Sequence, residues 1–223
     1  MNTTIAQILT NGEIEYLEYD FEGRKRRRKG KPMDLEIAKE NLLLLKSVFD
    51  KHNIAFWLIY GTCLGAVRDG NFIGHDTDTD IGVFMRDKDK IIAAIPELQN
   101  LGLEPIRTKC PGDLLSLMRN DEYIDVGFFQ RGRKAFFMKC WFYQSNRVYG
   151  NHYDRFDTIS FLGEEFLIPQ NVEKMLEAFY GKNWRTPVKD LPARSPYSFT
   201  ILRKIYGRMK RYLNTRKEDC CGL

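Results

Sequence analysis

One stretch limits what this 223-residue chain can fold into: an apolar run that gives way to a polar cluster and then resumes. Ala55–Tyr60 reads AFWLIY and is rich in strand formers, and Gly61-Thr62 ends it ahead of a short helical pattern carried by Leu64, Ala66 and Val67. The cluster Gly74-His75-Asp76-Thr77-Asp78-Thr79-Asp80 follows, and Ile81–Phe84 reads as a second strand. Strand, turn, short helix and strand in so short a span require a sheet with helices packed on it.

The rest of the chain repeats this mixture. Leu35, Ala38, Leu42, Leu45 and Phe49 fall on one stripe of a helix over Met33–Asn53, with Asp34 as its N-cap. A second helix is expected over 87–100, strands near 114–119, 123–130 and 135–143, a β-turn and strand around Phe161–Ile168, and a helix at 171–180. No internal repeat or low-complexity linker divides the chain. The fold class is therefore α/β (α+β), a mixed sheet flanked by helices, with a catalytic-type domain over 33–190 between an N-terminal segment (1–32) and a C-terminal tail (191–223). With 43% hydrophobic and 13% aromatic residues, there is enough apolar material for one core.

The formal charge of +5 sits on two tracts. Arg24 to Lys31 holds seven basic residues and reads as an exposed, self-repelling loop. The stretch 203–217 holds seven more and no acid, with Ile201, Leu202, Ile205, Tyr206, Met209, Tyr212 and Leu213 at helical spacing: a basic amphipathic helix, suited either to an anionic membrane surface or to packing on the domain with its basic face in water. What remains of the chain is acidic. The N-terminus has no signal-peptide pattern and no run of about eighteen apolar residues occurs, so a soluble, cytoplasmic protein is expected, with the basic helix able to place it at the inner face of a membrane. The five cysteines are scattered without C-x-x-C spacing and the three histidines lie far apart, which argues against a disulfide framework or a zinc site.

The chemistry concentrates in the acids. On an extended backbone residues i and i+2 project to one side, so Asp78 and Asp80 can converge, joined by Asp76 if the chain stays extended there. Carboxylates so close repel unless a cation neutralises them, and hard oxygen donors suit Mg²⁺ or Mn²⁺. The alternative is a solvated acidic turn. Gly61 and Thr62, opening a helix, offer backbone N–H groups and a hydroxyl to a phosphate, and Arg68 adds a charge-assisted contact unless it pairs with Asp69. Asp125 interrupts the apolar strand Tyr123–Phe129. It either completes a three-carboxylate cluster able to accept a proton from an attacking hydroxyl, or pairs with Arg119 or Arg131. Tyr180, Trp184 and Pro187 read as packing, and His152 and Tyr153 as loop residues.

These motifs resemble the LicD and fukutin-related family of the nucleotidyltransferase superfamily. Phe56 to Ile73 (FWLIYGTCLGAVRDGNFI) and Asp76 to Ile81 (DTDTDI) follow the family's pattern YWL-x-x-GTLLGAVR-x-x-x-FIPWDDDIDI, and Ile168-Pro169 to Pro187 resembles its closing motif. The resemblance implies a transferase that moves a phospho-alcohol unit, such as phosphocholine or a polyol phosphate, from a CDP-linked donor to a glycan or lipid-linked saccharide hydroxyl. It places Asp78, Asp80 and Asp125 as catalytic metal ligands, and Gly61, Thr62, Arg68, Asp76 and His75 on the substrate side. Gly74-His75 replaces the family's Pro-Trp, Thr77 its central acid, and Thr79 the apolar residue between the paired acids. His75 thereby becomes a candidate pocket donor. The competing readings are transfer of NMP from an NTP to RNA, protein or a small molecule, and a non-catalytic module for anionic polymers; nucleic acid is not a partner under the leading reading.

Overall fold

Asp34 opens the first helix as its type predicts. Its side chain accepts hydrogen bonds from the backbone N–H groups of Glu36 (3.1 Å) and Ile37 (3.2 Å), donors that a helix start otherwise leaves unsatisfied. This helix, α1 (Leu35–Lys51), buries Ala38, Leu42, Leu45, Val48 and Phe49 along the expected stripe. The computed structural model describes residues 32–109, 114–134, 138–143, 146–149 and 152–188. Both basic tracts, and the helix expected in the second, lie outside the described residues.

After α1 come β1 (Phe56–Leu58), α2 (Tyr60–Asp69), β2 (Thr79–Phe84), a short 3-10 turn (Met85–Asp87) and α3 (Lys88–Asn100). Then follow β3 (Glu104–Lys109), β4 (Leu114–Arg119), β5 (Glu122–Lys134), β6 (Met138–Tyr143), β7 (Asn146–Tyr149), β8 (Phe156–Phe161), β9 (Glu164–Pro169) and α4 (Val172–Tyr180). The main sheet is mixed, in the order β3-β4-β5-β2-β1-β9-β8. Within it β2 runs parallel to β5 and β1 parallel to β9, and the other pairs are antiparallel. From Gln130 onward β5 pairs with β6, which pairs with β7. Among the described residues no helix is long and apolar enough to cross a membrane.

Three local corrections apply to the strand pattern. The β-turn and strand expected around Phe161–Ile168 are present, as Leu162-Gly163 (φ 56° and 91°) and β9, but they belong to a hairpin whose first strand, β8, was not expected. The strand expected over 123–130 continues to Lys134 as β5, and the described part of the one expected over 135–143 is β6, Met138–Tyr143. Glu104–Lys109 (EPIRTK) gave no strand signal, since it is polar and contains Pro105, yet it forms β3 at the sheet edge, where a missing N–H is tolerated.

Two features of this frame fix the site. The turn between β4 and β5, Asn120-Asp121, has φ of 53° and 62°, the two left-handed residues that a tight hairpin needs. Asn41 of α1, fully buried, locks it: its Nδ2 donates to the carbonyls of Arg119 (2.9 Å) and Glu122 (3.4 Å), and its Oδ1 accepts from Arg119 Nη1 (3.0 Å). The second feature is Trp57, fully buried against Phe84, Phe129 and Phe156 with ring centroids 4.8, 5.3 and 4.7 Å away. Its strand partner is Gly82, and a Cβ at that position would sit 2.5 Å from the indole ring, so only glycine lets the ring lie on β2.

Candidate metal centre

Asp80 and Asp125 are direct neighbours in the parallel β2–β5 register. Asp78, just before β2, joins them, and one oxygen from each of the three carboxylates lies within 4.8 Å of the others. Asp125 is buried, at 8% exposure. The alternative partners for Asp125 are engaged elsewhere: Arg119 bonds Asn41 and Glu40, and Arg131 bonds Asp154 at 2.9 Å. The Ser116 hydroxyl of β4 donates to Asp125 Oδ1, and Tyr123 Oη donates to Asp78 Oδ2 at 3.3 Å.

Burial, then the charges of Asp76 and Asp125, push the Asp78 carboxyl up to about 6 from its ordinary 3.8. Three acids held together in part-buried surroundings fit a divalent cation: the donors are all hard oxygens, and the charge they concentrate is the charge such an ion neutralises.

The remaining expected residues divide. Gly61 lies in the first turn of α2 with the Asp76 carboxylate against it, so closely that a Cβ at Gly61 would overlap the Asp76 oxygen. Asp76 Oδ1 accepts from the Thr77 N–H (3.0 Å), and burial raises its pKa. Asp76 therefore sits against α2, and the acids that converge are Asp78, Asp80 and Asp125. Thr62 has a task other than the one expected. It is buried, and its hydroxyl accepts the Asp80 N–H at 2.9 Å, fastening the start of β2 to α2. Arg68 grips Asp69 with Nε (2.9 Å) and Nη2 (2.6 Å), the pairing that spacing alone also allowed. His75 is exposed beside Asp76, whose carboxyl its charge lowers.

Sequence reasoning missed Ser116 and Tyr123, although the signal was present. The Asn120-Asp121 turn pairs Arg119 with Glu122, and counting outward places Ser116, the single polar residue of Leu114–Met118, opposite Asp125. Tyr123 lies two residues before Asp125 and so on the same face. Tyr60 was also passed over, and Tyr180 was read only as packing. Each hydroxyl is held above its usual range, first by burial and next by Asp80, which places both within electrostatic reach of the cluster. Tyr60 adopts φ 45°, a left-handed conformation costly for an aromatic residue, at the junction that swings β1 into α2. Cys63 is fully buried, and burial pushes its thiol up to about 12, so it stays protonated and is no nucleophile.

Residues 53–171, more than half the chain and spanning all three acids, match the family model described as LicD/FKTN/FKRP, nucleotidyltransferase domain. The human protein named Ribitol-5-phosphate transferase FKTN is 32% identical over 160 residues, 68% of this chain and 34% of its own length. Its Mus musculus counterpart is 30% identical over the same shares. The chain thus spans about a third of the length of these relatives. Among solved structures, the lincosamide antibiotic adenylyltransferase LnuA, lincomycin-bound, aligns at TM-score 0.44 and 14% identity, covering 61% of this chain and 83% of that one, a likeness too loose to carry any argument. By the family match, the chain belongs to the LicD/FKTN/FKRP nucleotidyltransferase-domain family.

Proposed function

We propose that the protein is a divalent-metal-dependent transferase that moves a phospho-alcohol unit, of the ribitol phosphate or phosphocholine kind, from a CDP-linked donor to a glycan hydroxyl of a cell-surface or envelope saccharide. The observation that carries this reading is the convergence of Asp78 and Asp80 from one segment with Asp125 from another, inside the region that matches the family. The name of the FKTN relatives, ribitol-5-phosphate transferase, supports the type of group moved.

Asp78, Asp80 and Asp125 would hold Mg²⁺ or Mn²⁺, which when bound neutralises charge on the donor diphosphate. The protein's own residues do the rest. Thr62 and the β2–β5 pairing keep Asp80 in place, Ser116 orients Asp125, and Tyr123 orients Asp78. The backbone N–H groups at the start of α2, around Gly61, are the candidate donors to phosphate oxygens. The acceptor hydroxyl gives its proton to a carboxylate of the cluster, Asp125 in the first instance. Its oxygen bonds to the phosphorus that bears the alcohol, and the bond from that phosphorus to the CMP oxygen breaks with its electron pair.

A mass-spectrometric screen tests this reading, offering CDP-linked alcohols and, separately, NTPs to the protein with Mg²⁺ and a saccharide panel, with the Asp78→Asn/Asp80→Asn double variant as blank. CMP released from a CDP-alcohol, absent in the blank, is the expected result. Pyrophosphate released from an NTP, with no CMP from any CDP-alcohol, would assign the site to NMP transfer instead.

A further inference from the structure

A cavity of about 660 Å³ lies at the other end of β2 and β5 from the acid cluster, and nothing in the transfer reading uses it. Its walls include Phe84, Phe129, Trp141 and Phe156, and its rim includes Arg86, Gln130, Arg131 and Asp154. The parallel register explains how it relates to the cluster. Asp80 pairs with Asp125, Gly82 with Gly127, and Phe84 with Phe129, and side chains two apart share a face. One face of the sheet therefore carries the acids, then a bare glycine pair, then the aromatic pair, with Asp80 and Phe84 about 13 Å apart along the strand. Trp57, the strand partner of Gly82, fills the gap between the two ends. A ligand in the cavity is consequently separate from whatever the carboxylates hold, or it is a longer molecule that passes outside the indole.

The lining indicates the chemistry. Phe84 and Phe156 are only partly buried, which leaves ring surface for contact. The Arg86 guanidinium stacks 4.3 Å from the Phe84 ring centre, with its side chain 75% exposed. The carboxylate nearest to it among the described residues, Asp87 at 3.8 Å, is held more closely by Lys90 at 3.0 Å. Asp154 is fixed from two sides, by Arg131 Nη2 (2.9 Å) and Trp141 Nε1 (3.1 Å), so the rim is built before any ligand arrives. Ring faces below and planar hydrogen-bonding groups around the edge match a sugar, which offers a C–H face and a circle of hydroxyls. Two guanidinium groups against one carboxylate favour a sugar that carries an acid.

We propose that this cavity binds an acidic saccharide, the part of the acceptor glycan remote from the reacting hydroxyl; the inference rests on the transfer reading above. The test is calorimetric titration of the full chain with trigalacturonate and with neutral galactotriose, in the wild type and in Arg86→Gln, Gln130→Ala and Asp78→Asn. Both rim positions are exposed, so their variants keep the fold. Trigalacturonate is expected to bind the wild type and Asp78→Asn equally. Arg86→Gln should weaken it about tenfold, the weight of one charge-assisted hydrogen bond. Gln130→Ala should weaken both probes, and galactotriose should bind less well than trigalacturonate throughout. No binding, an unchanged affinity in Arg86→Gln, or displacement of trigalacturonate by CMP overturns the proposal. CMP release is measured on the same samples. If it is intact while the titrations fail, only this subsite is lost; if it is absent from the wild type while trigalacturonate binds as expected, the transfer reading fails and the saccharide site stands without it.

Discussion

Assembling the site has a cost that is visible at Asp78. Its carboxyl is raised to about 6 by burial and by its acidic neighbours, so the folded, metal-free protein keeps a proton that the unfolded chain releases near 3.8. The sign follows: this group's contribution to stability is present below about pH 4 and is lost as pH rises through about 6. In EDTA, the urea midpoint of the wild type should fall across that interval relative to Asp78→Asn, and Mg²⁺ at pH 7 should recover the difference. A wild-type midpoint that rises over the interval relative to the variant would contradict the assignment. The same variant should melt no lower than the wild type in EDTA at pH 7, because it removes repulsion, while its Mg²⁺-induced rise in Tm disappears. The three acids were legible in the sequence because i, i+2 spacing and a lone acid in an apolar strand are local signals. The part Thr62 plays was not, since whether a hydroxyl meets a backbone N–H depends on how β2 lies against α2.

At the scale of elements, two contacts hold β2 so that Asp80 meets Asp125. Thr62 accepts the Asp80 N–H, so Thr62→Val, which keeps the shape and removes the acceptor, should cost about 1–3 kcal/mol in urea unfolding. Thr62→Ser should restore most of that loss together with activity. If valine is neutral in both stability and turnover, Thr62 does not hold β2. Gly82→Ala drives a methyl into the buried Trp57 indole and should cost about 1–3 kcal/mol by overpacking. An alanine variant as stable as the wild type would mean that the indole is not seated on β2 as described. Helices and central strands were legible because their periodicity reports burial: the α1 stripe and its Asp34 cap appear as expected. Strands β3 and β8, at the two edges of the main sheet, were harder, since an edge strand shows no clean apolar alternation. The pairing of β2 with β5 was left open as a condition. It depends on a parallel crossover, which no local pattern encodes.

For the molecule as a whole, the charge is divided between an acidic body and two basic tracts outside the described residues. The body places its carboxylates at one end of the β2–β5 pair and its aromatic cavity at the other, with Trp57 between them. Under the proposed function, that division gives the charged donor and the polymeric acceptor separate ends of the sheet. The central claim is that Asp125, brought from a distant strand to Asp78 and Asp80, completes one catalytic cation site. The most direct measurement is Mg²⁺-dependent CMP release from CDP-ribitol by the wild type and by Asp125→Asn, with circular dichroism confirming that both are folded. The account predicts loss of CMP release to background in the folded variant. A variant that releases CMP at the wild-type rate, with the same dependence on Mg²⁺, would contradict it.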